Sequence, residues 1–195
     1  MRERKNRLIR WIIIAASALF LFPLYYPSPW SPESAVSDTL EGMGFPSASV
    51  EAISVIQAGN MYAVLFYDDK LGLSYHFLLD RPFGFLWRNR GGGGGYPFDP
   101  ESVLKWGWGG HRERNGSWYT YASGQVNDPQ IHSLTVEWSD GETQSMRPIK
   151  GFYHFARVFS PEEGASAILL AYDENGKLLY RLDENQREIR KPAAP

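Results

Sequence analysis

The sequence predicts an N-terminal transmembrane helix followed by a β-rich extracytoplasmic part, made of a small α+β unit and an antiparallel β-sandwich of immunoglobulin-like type. Three observations predict it. Trp11 to Tyr26 runs sixteen residues without a charge, directly behind a basic cluster. Short runs rich in β-branched and aromatic residues recur down the rest of the chain, separated by Asn, Asp, Gly and Pro. The 195 residues are 43% hydrophobic and 15% aromatic, enough for a packed core without any cysteine to staple it.

The anchor comes first. Arg2, Arg4, Lys5, Arg7 and Arg10 stand against Glu3, so residues 1–10 carry +4 and the remainder carries −6 of a total of −2. Lys and Arg stay on the cytoplasmic side, so 1–10 reads as a cytoplasmic segment and 11–28 as a transmembrane signal-anchor in the lipid bilayer. The uncharged run spans about 24 Å against a hydrocarbon core of about 30 Å, and Arg10 can extend it by snorkelling. A cleaved signal peptide is the rival reading. The place just after the apolar run holds Pro27, Pro29, Trp30 and Pro32 rather than small residues, which favours the anchor. Single-pass topology then puts the C-terminal domain outside the cell membrane. An acidic domain without clustered Lys and Arg excludes nucleic acid as partner. Absence of cysteine excludes disulfides, thiolate chemistry and cysteine metal sites.

Residues 31–88 read as the α+β unit. Ser31 is a good N-cap with Pro32 at the first helical position, and a helix to Met43 stops at Gly44. Ser49 to Gln57, Met61 to Tyr67 and Leu73 to Leu79 make a meander, with Phe83 to Arg88 as a possible fourth strand. Residues 89–116 read as a Gly- and Trp-rich loop. Nine glycines fall between Gly84 and Gly110, five of them consecutive from Gly91 to Gly95, and that much backbone freedom argues against regular structure. Asp99-Pro100-Glu101 predicts a short helix toward Leu104.

Residues 117–182 restore the strand rhythm. Runs at Trp118 to Val126, Ile131 to Trp138, Thr143 to Arg147, Phe152 to Phe159, Ala165 to Tyr172 and Lys177 to Leu182 predict six strands of a sandwich. Residues 183–195 read as a polar tail. Within this stretch Gly124, Asp128, Pro129, Gly141, Phe152, Asp173 and Gly176 set a pattern of turns: a Gly before an Asp-Pro turn, an alternating strand, a Gly hairpin and a late Asp-x-x-Gly hairpin. Residues 124–182 thereby resemble the C-terminal β-sandwich of uncharacterised membrane-anchored envelope proteins of bacilli. The resemblance implies a fold and a bacterial cell-envelope setting, and carries no catalytic residues.

No motif names a reaction. The glycine run is followed by Tyr96-Pro97-Phe98, not by the Lys and Ser or Thr of a phosphate loop. His76, His132 and His154 read as structural residues of strands. His111 beside Glu113 is a pair in a loop. No helical metal pair exists in the sequence, so no metal and no cofactor is expected. The candidate binding residues are Trp106, Trp108, Trp118, Tyr96, Arg88, Arg90 and His111: aromatic faces stack on rings while Arg and His bond polar groups. These point to a non-enzymatic interaction module whose partner is another envelope protein or a glycan. The alternative is a cell-wall polymer hydrolase using Asp99, His111 and Glu113.

Overall fold

A computed structural model describes residues 2–25, 30–47, 49–113, 116–160 and 166–192. Helix α1 spans Arg2–Tyr25 and α2 spans Pro32–Gly42. Ser31 caps α2 by accepting from the Ser34 amide at 3.2 Å, and Gly44 follows at φ +84°. Both ends of α2 fall where the sequence places them.

The span expected over 11–28 is corrected. Among the described residues no helix is long and apolar enough to cross a membrane. The charge-free part of α1 begins at Trp11 and the helix stops at Tyr25, which is about 22 Å of helix against about 30 Å of hydrocarbon. Residues 26–28 lie outside the described ones. Leu8, Trp11, Ile12, Ile13, Ile14 and Leu19 are all exposed, so α1 has no single buried stripe.

Twelve strands form three antiparallel four-stranded sheets. The first is the meander β1 (Val50–Ala58), β2 (Met61–Asp68), β3 (Leu73–Asp80) and β4 (Arg88–Pro97), in that order. The second runs β12 (Glu188–Arg190), β5 (Ser102–Arg112), β6 (Trp118–Val126), β9 (Phe152–Phe159). The third runs β11 (Leu178–Leu182), β10 (Ala167–Tyr172), β7 (Ser133–Trp138), β8 (Thr143–Met146).

These pack as four layers. Val36 and Leu40 of α2 cover one face of the first sheet, against Val64, Phe66, Tyr75, Phe77 and Leu79. The opposite face brings Ala58, Met61, Ala63 and Leu78 against Tyr119, Tyr121, Ala156 and Val158 of the second sheet. The second and third sheets close a sandwich over Leu104, Trp106, Val136, Trp138, Tyr153, Phe155 and Leu169. Strand alternation explains this division, since neighbouring residues of β6 such as Tyr121 and Ala122 serve opposite cores.

The Gly/Trp-rich segment 89–116 is a further correction, because most of it is β4 and β5. Phe83 and Phe85 are exposed and form no strand, which begins only at Arg88. Gly91 to Gly94 of β4 pair with β3, and register shifts fall on either side of them, Gly95 lying in one. Glycine is required there. A Cβ on Gly92 would overlap the His76 carbonyl oxygen, and one on Gly94 would stand 2.6 Å from Tyr75 Cα. The helix expected from Asp99 is instead a turn, in which Asp99 accepts from the Glu101 amide at 3.0 Å and leads into β5. The polar tail also contributes a strand: β12 pairs antiparallel with β5, Glu188 opposite Lys105.

Candidate functional site

Ladder register decides which residues of β3 to β6 face one another across the seam between the first two sheets. His76 bonds into the seam and Leu78 packs there. Their partners across the β3–β4 ladder are Gly93 and Gly91, which therefore face the seam as well. On β5, Leu104 and Trp106 point into the sandwich and Trp108 packs against that core. The alternate residues Lys105, Gly107, Gly109 and His111 point toward the first sheet. Glycine thus faces glycine across two layers whose usual spacing is about 10 Å. The seam is filled where Ala58, Met61, Ala63 and Leu78 meet the second sheet, and opens toward β4.

Two cavities occupy that opening, of about 290 Å³ and about 180 Å³. They share His76, Tyr96 and Tyr121 as walls and read as one slot. Ser74, Ser123 and Gln125 line the larger part, with Lys105 and Arg187. Arg90, Gly91, Gly93 and His111 line the smaller. From Lys105 to His111 the slot runs about 20 Å, six residues of extended strand. Tyr96 stands at the mouth, 65% exposed. Among the described residues lining either part there is no Asp or Glu, although the chain beyond residue 10 is acidic.

The back wall is a buried polar chain. His76 stacks on Tyr121 with ring centroids 3.4 Å apart, 15° from parallel. Its Nε2 shares a hydrogen bond of 3.1 Å with His154 Nε2, and His154 Nδ1 shares one of 3.0 Å with Ser54 Oγ. Ser54 reaches the seam because β1 carries a bulge between Ala52 and Ser54, which reverses the facing of the strand. Ala52 packs on the α2 side and Ile56 on the seam side. Burial disfavours the charged imidazole, so His154 is pushed down to about 3. His76 is held well below the ordinary histidine range by burial and, secondarily, by His154. Both rings are therefore neutral, one donating and the other accepting.

Comparison with protein-family models, with curated proteins and with solved structures returns no match. The slot must therefore be interpreted from its own geometry.

The structure distributes the sequence-derived candidates as follows. Trp106 is 3% exposed inside the sandwich, and Trp108 and Trp118 pack against the same core, while Trp106 and Trp108 also line the larger cavity. Arg88 is held by Asp80 through two hydrogen bonds, of 2.9 and 2.6 Å. Arg90 lies 3.6 Å from the same carboxylate and still lines the slot. Tyr96 and His111 line it too. His111 stands 3.9 Å from Glu113. Asp99 is paired with Arg190 at 3.0 Å beyond the opposite end of β5, on the order of 30 Å along the strand from Glu113. Two carboxylates of a glycosidase need less than about 10 Å, so Asp99, His111 and Glu113 are not brought together. Among the described residues no group of His, Asp and Glu could hold a metal ion.

Sequence reading singled out neither Lys105 nor Arg187, nor the glycines as wall-forming residues. A signal for the glycines is present. Trp106-Gly107-Trp108-Gly109 alternates large and small with period two, the mark of a strand whose second face is kept bare.

Proposed function

We propose that this chain is a non-enzymatic, membrane-attached binding module of the bacterial cell envelope, and that it holds a segment of a glycan in the slot between β4 and β5. The observation that carries this reading is the slot itself. Glycines on both walls leave cavities of about 290 Å³ and about 180 Å³, lined by polar side chains and by the exposed Tyr96 ring. Flat polar rings stack on aromatic faces while Ser and Gln side chains bond hydroxyls.

Attachment rests on α1. Its exposed apolar side chains suit burial in lipid beside Arg4, Arg7 and Arg10 at the headgroups, and the position of the β-rich part outside is proposed from the basic cluster alone. The strand order supports the immunoglobulin-like reading of the sandwich. β5-β6-β9 matches A-B-E, and β7, β10 and β11 match C, F and G, with β8 added beside C.

The test is Gly93→Leu. Nothing lies within 4 Å of a Cβ at Gly93, and its backbone is open to any residue, so the variant fills the slot without strain. Co-sedimentation with protein-free cell-wall polysaccharide should be lost while the thermal midpoint stays within about 2 °C. Undiminished co-sedimentation would refute the slot as the site. A cytosol-only reporter fused after residue 195 should stay dark, and its activity would refute the orientation.

A further inference from the structure

We infer that the slot selects an acid-bearing sugar chain, such as a polyuronate, over a neutral one. This rests on the glycan reading above. Lys105 and Arg187 line the larger part of the slot, and among the described residues neither forms an ion pair. The nearest candidate by register is Glu188, opposite Lys105 across the β5–β12 ladder, and its carboxylate instead pairs with Arg190 at 3.0 Å. Arg187 is positioned by its backbone: its carbonyl accepts from the Trp106 amide at 2.8 Å, fixing the residue beside β5. Its Nε donates only to the Glu184 carbonyl at 3.3 Å, leaving the guanidinium's positive charge uncompensated.

A site built only for hydroxyls gains nothing from two uncompensated cations, whereas carboxylates form charge-assisted hydrogen bonds with them. Arg90 and His111 sit at the far part, but Asp80 and Glu113 stand behind them. The positive end is therefore the Lys105–Arg187 end. A chain lying in the slot places an acidic ring there and its neighbours along Ser123, Tyr121 and Tyr96.

The test titrates the full chain, in mild detergent, with two hexasaccharides: an oligogalacturonate and the neutral maltohexaose. Tryptophan and tyrosine fluorescence reports binding. The acidic hexamer should bind at least about tenfold tighter at low salt, and raising the salt should erode that advantage. Lys105→Gln combined with Arg187→Gln should remove the advantage, with circular dichroism intact. Gly93→Leu should abolish both. Equal affinity for the two hexamers, or an acidic preference that survives the double substitution, overturns the charge selectivity and leaves the slot reading standing. Failure of both hexamers to bind overturns the two readings together.

Discussion

Acid should loosen this protein through the His76–His154 pair well before its carboxylates titrate. The two rings are buried, share one hydrogen bond and are neutral when folded. An unfolded histidine takes up its proton near pH 6.5. His154 holds out to about 3 in the folded state. Its contribution is therefore full above pH 6.5, declines as the pH falls and is exhausted near the folded value. The unfolded state binds the extra proton in this window, so the slope is about 1.4 kcal/mol per pH unit. Between pH 6.5 and pH 5 His154 alone removes about 2 kcal/mol, and His76 acts in the same direction. Against a total of about 5–15 kcal/mol for a domain, that loss is readily measured. Urea unfolding followed by tryptophan fluorescence at pH 7.5, 6.5, 5.8 and 5.0 reads it directly. His154→Gln should lower stability at pH 7.5 yet flatten the pH dependence by about one proton's worth of slope. Parallel curves for the two proteins across that window would refute the assignment.

Two further substitutions separate scaffold from site. Trp106→Ala empties a buried indole position in the sandwich and should cost about 3–5 kcal/mol by denaturant unfolding, whereas a binding ring would cost almost nothing. Gly124→Ala places a Cβ onto the Lys105 carbonyl oxygen and 2.8 Å from the Tyr153 hydroxyl. That hydroxyl donates to the same carbonyl at 3.0 Å, so the variant should lose several kcal/mol or fail to accumulate as folded protein.

Much of the fold was legible because its signals are local. Ser31-Pro32 and Gly44 delimit α2, and the Asp140-Gly141 and Asp173 to Gly176 turns place the strands around them. The meander Ser49 to Leu79 is legible for the same reason. The glycine segment was not, because propensity counts backbone freedom and ignores pairing. β4 survives because β3 supplies the ladder and its residues leave no room for any side chain at Gly92 and Gly94. The candidate site was half legible. Tyr96, Arg90 and His111 were reachable as polar and aromatic groups near glycines. Lys105 and Arg187 converge only through the β5–β12 pairing, eighty-odd residues apart in sequence, and no local pattern carries that information. The role of the three tryptophans was not legible, because a large ring at an alternating position reads equally as contact surface or as filling.

The late pairing of β12 with β5 has a bearing on how the chain is made. Ser102 and Lys105 find their outer neighbours only once Arg190 has been synthesised. Until then the first strand of the sandwich keeps a bare edge, and Arg187 is not beside the slot. The outer edge of β5 is therefore closed, and Arg187 brought beside the slot, only after the β12 residues are available to pair.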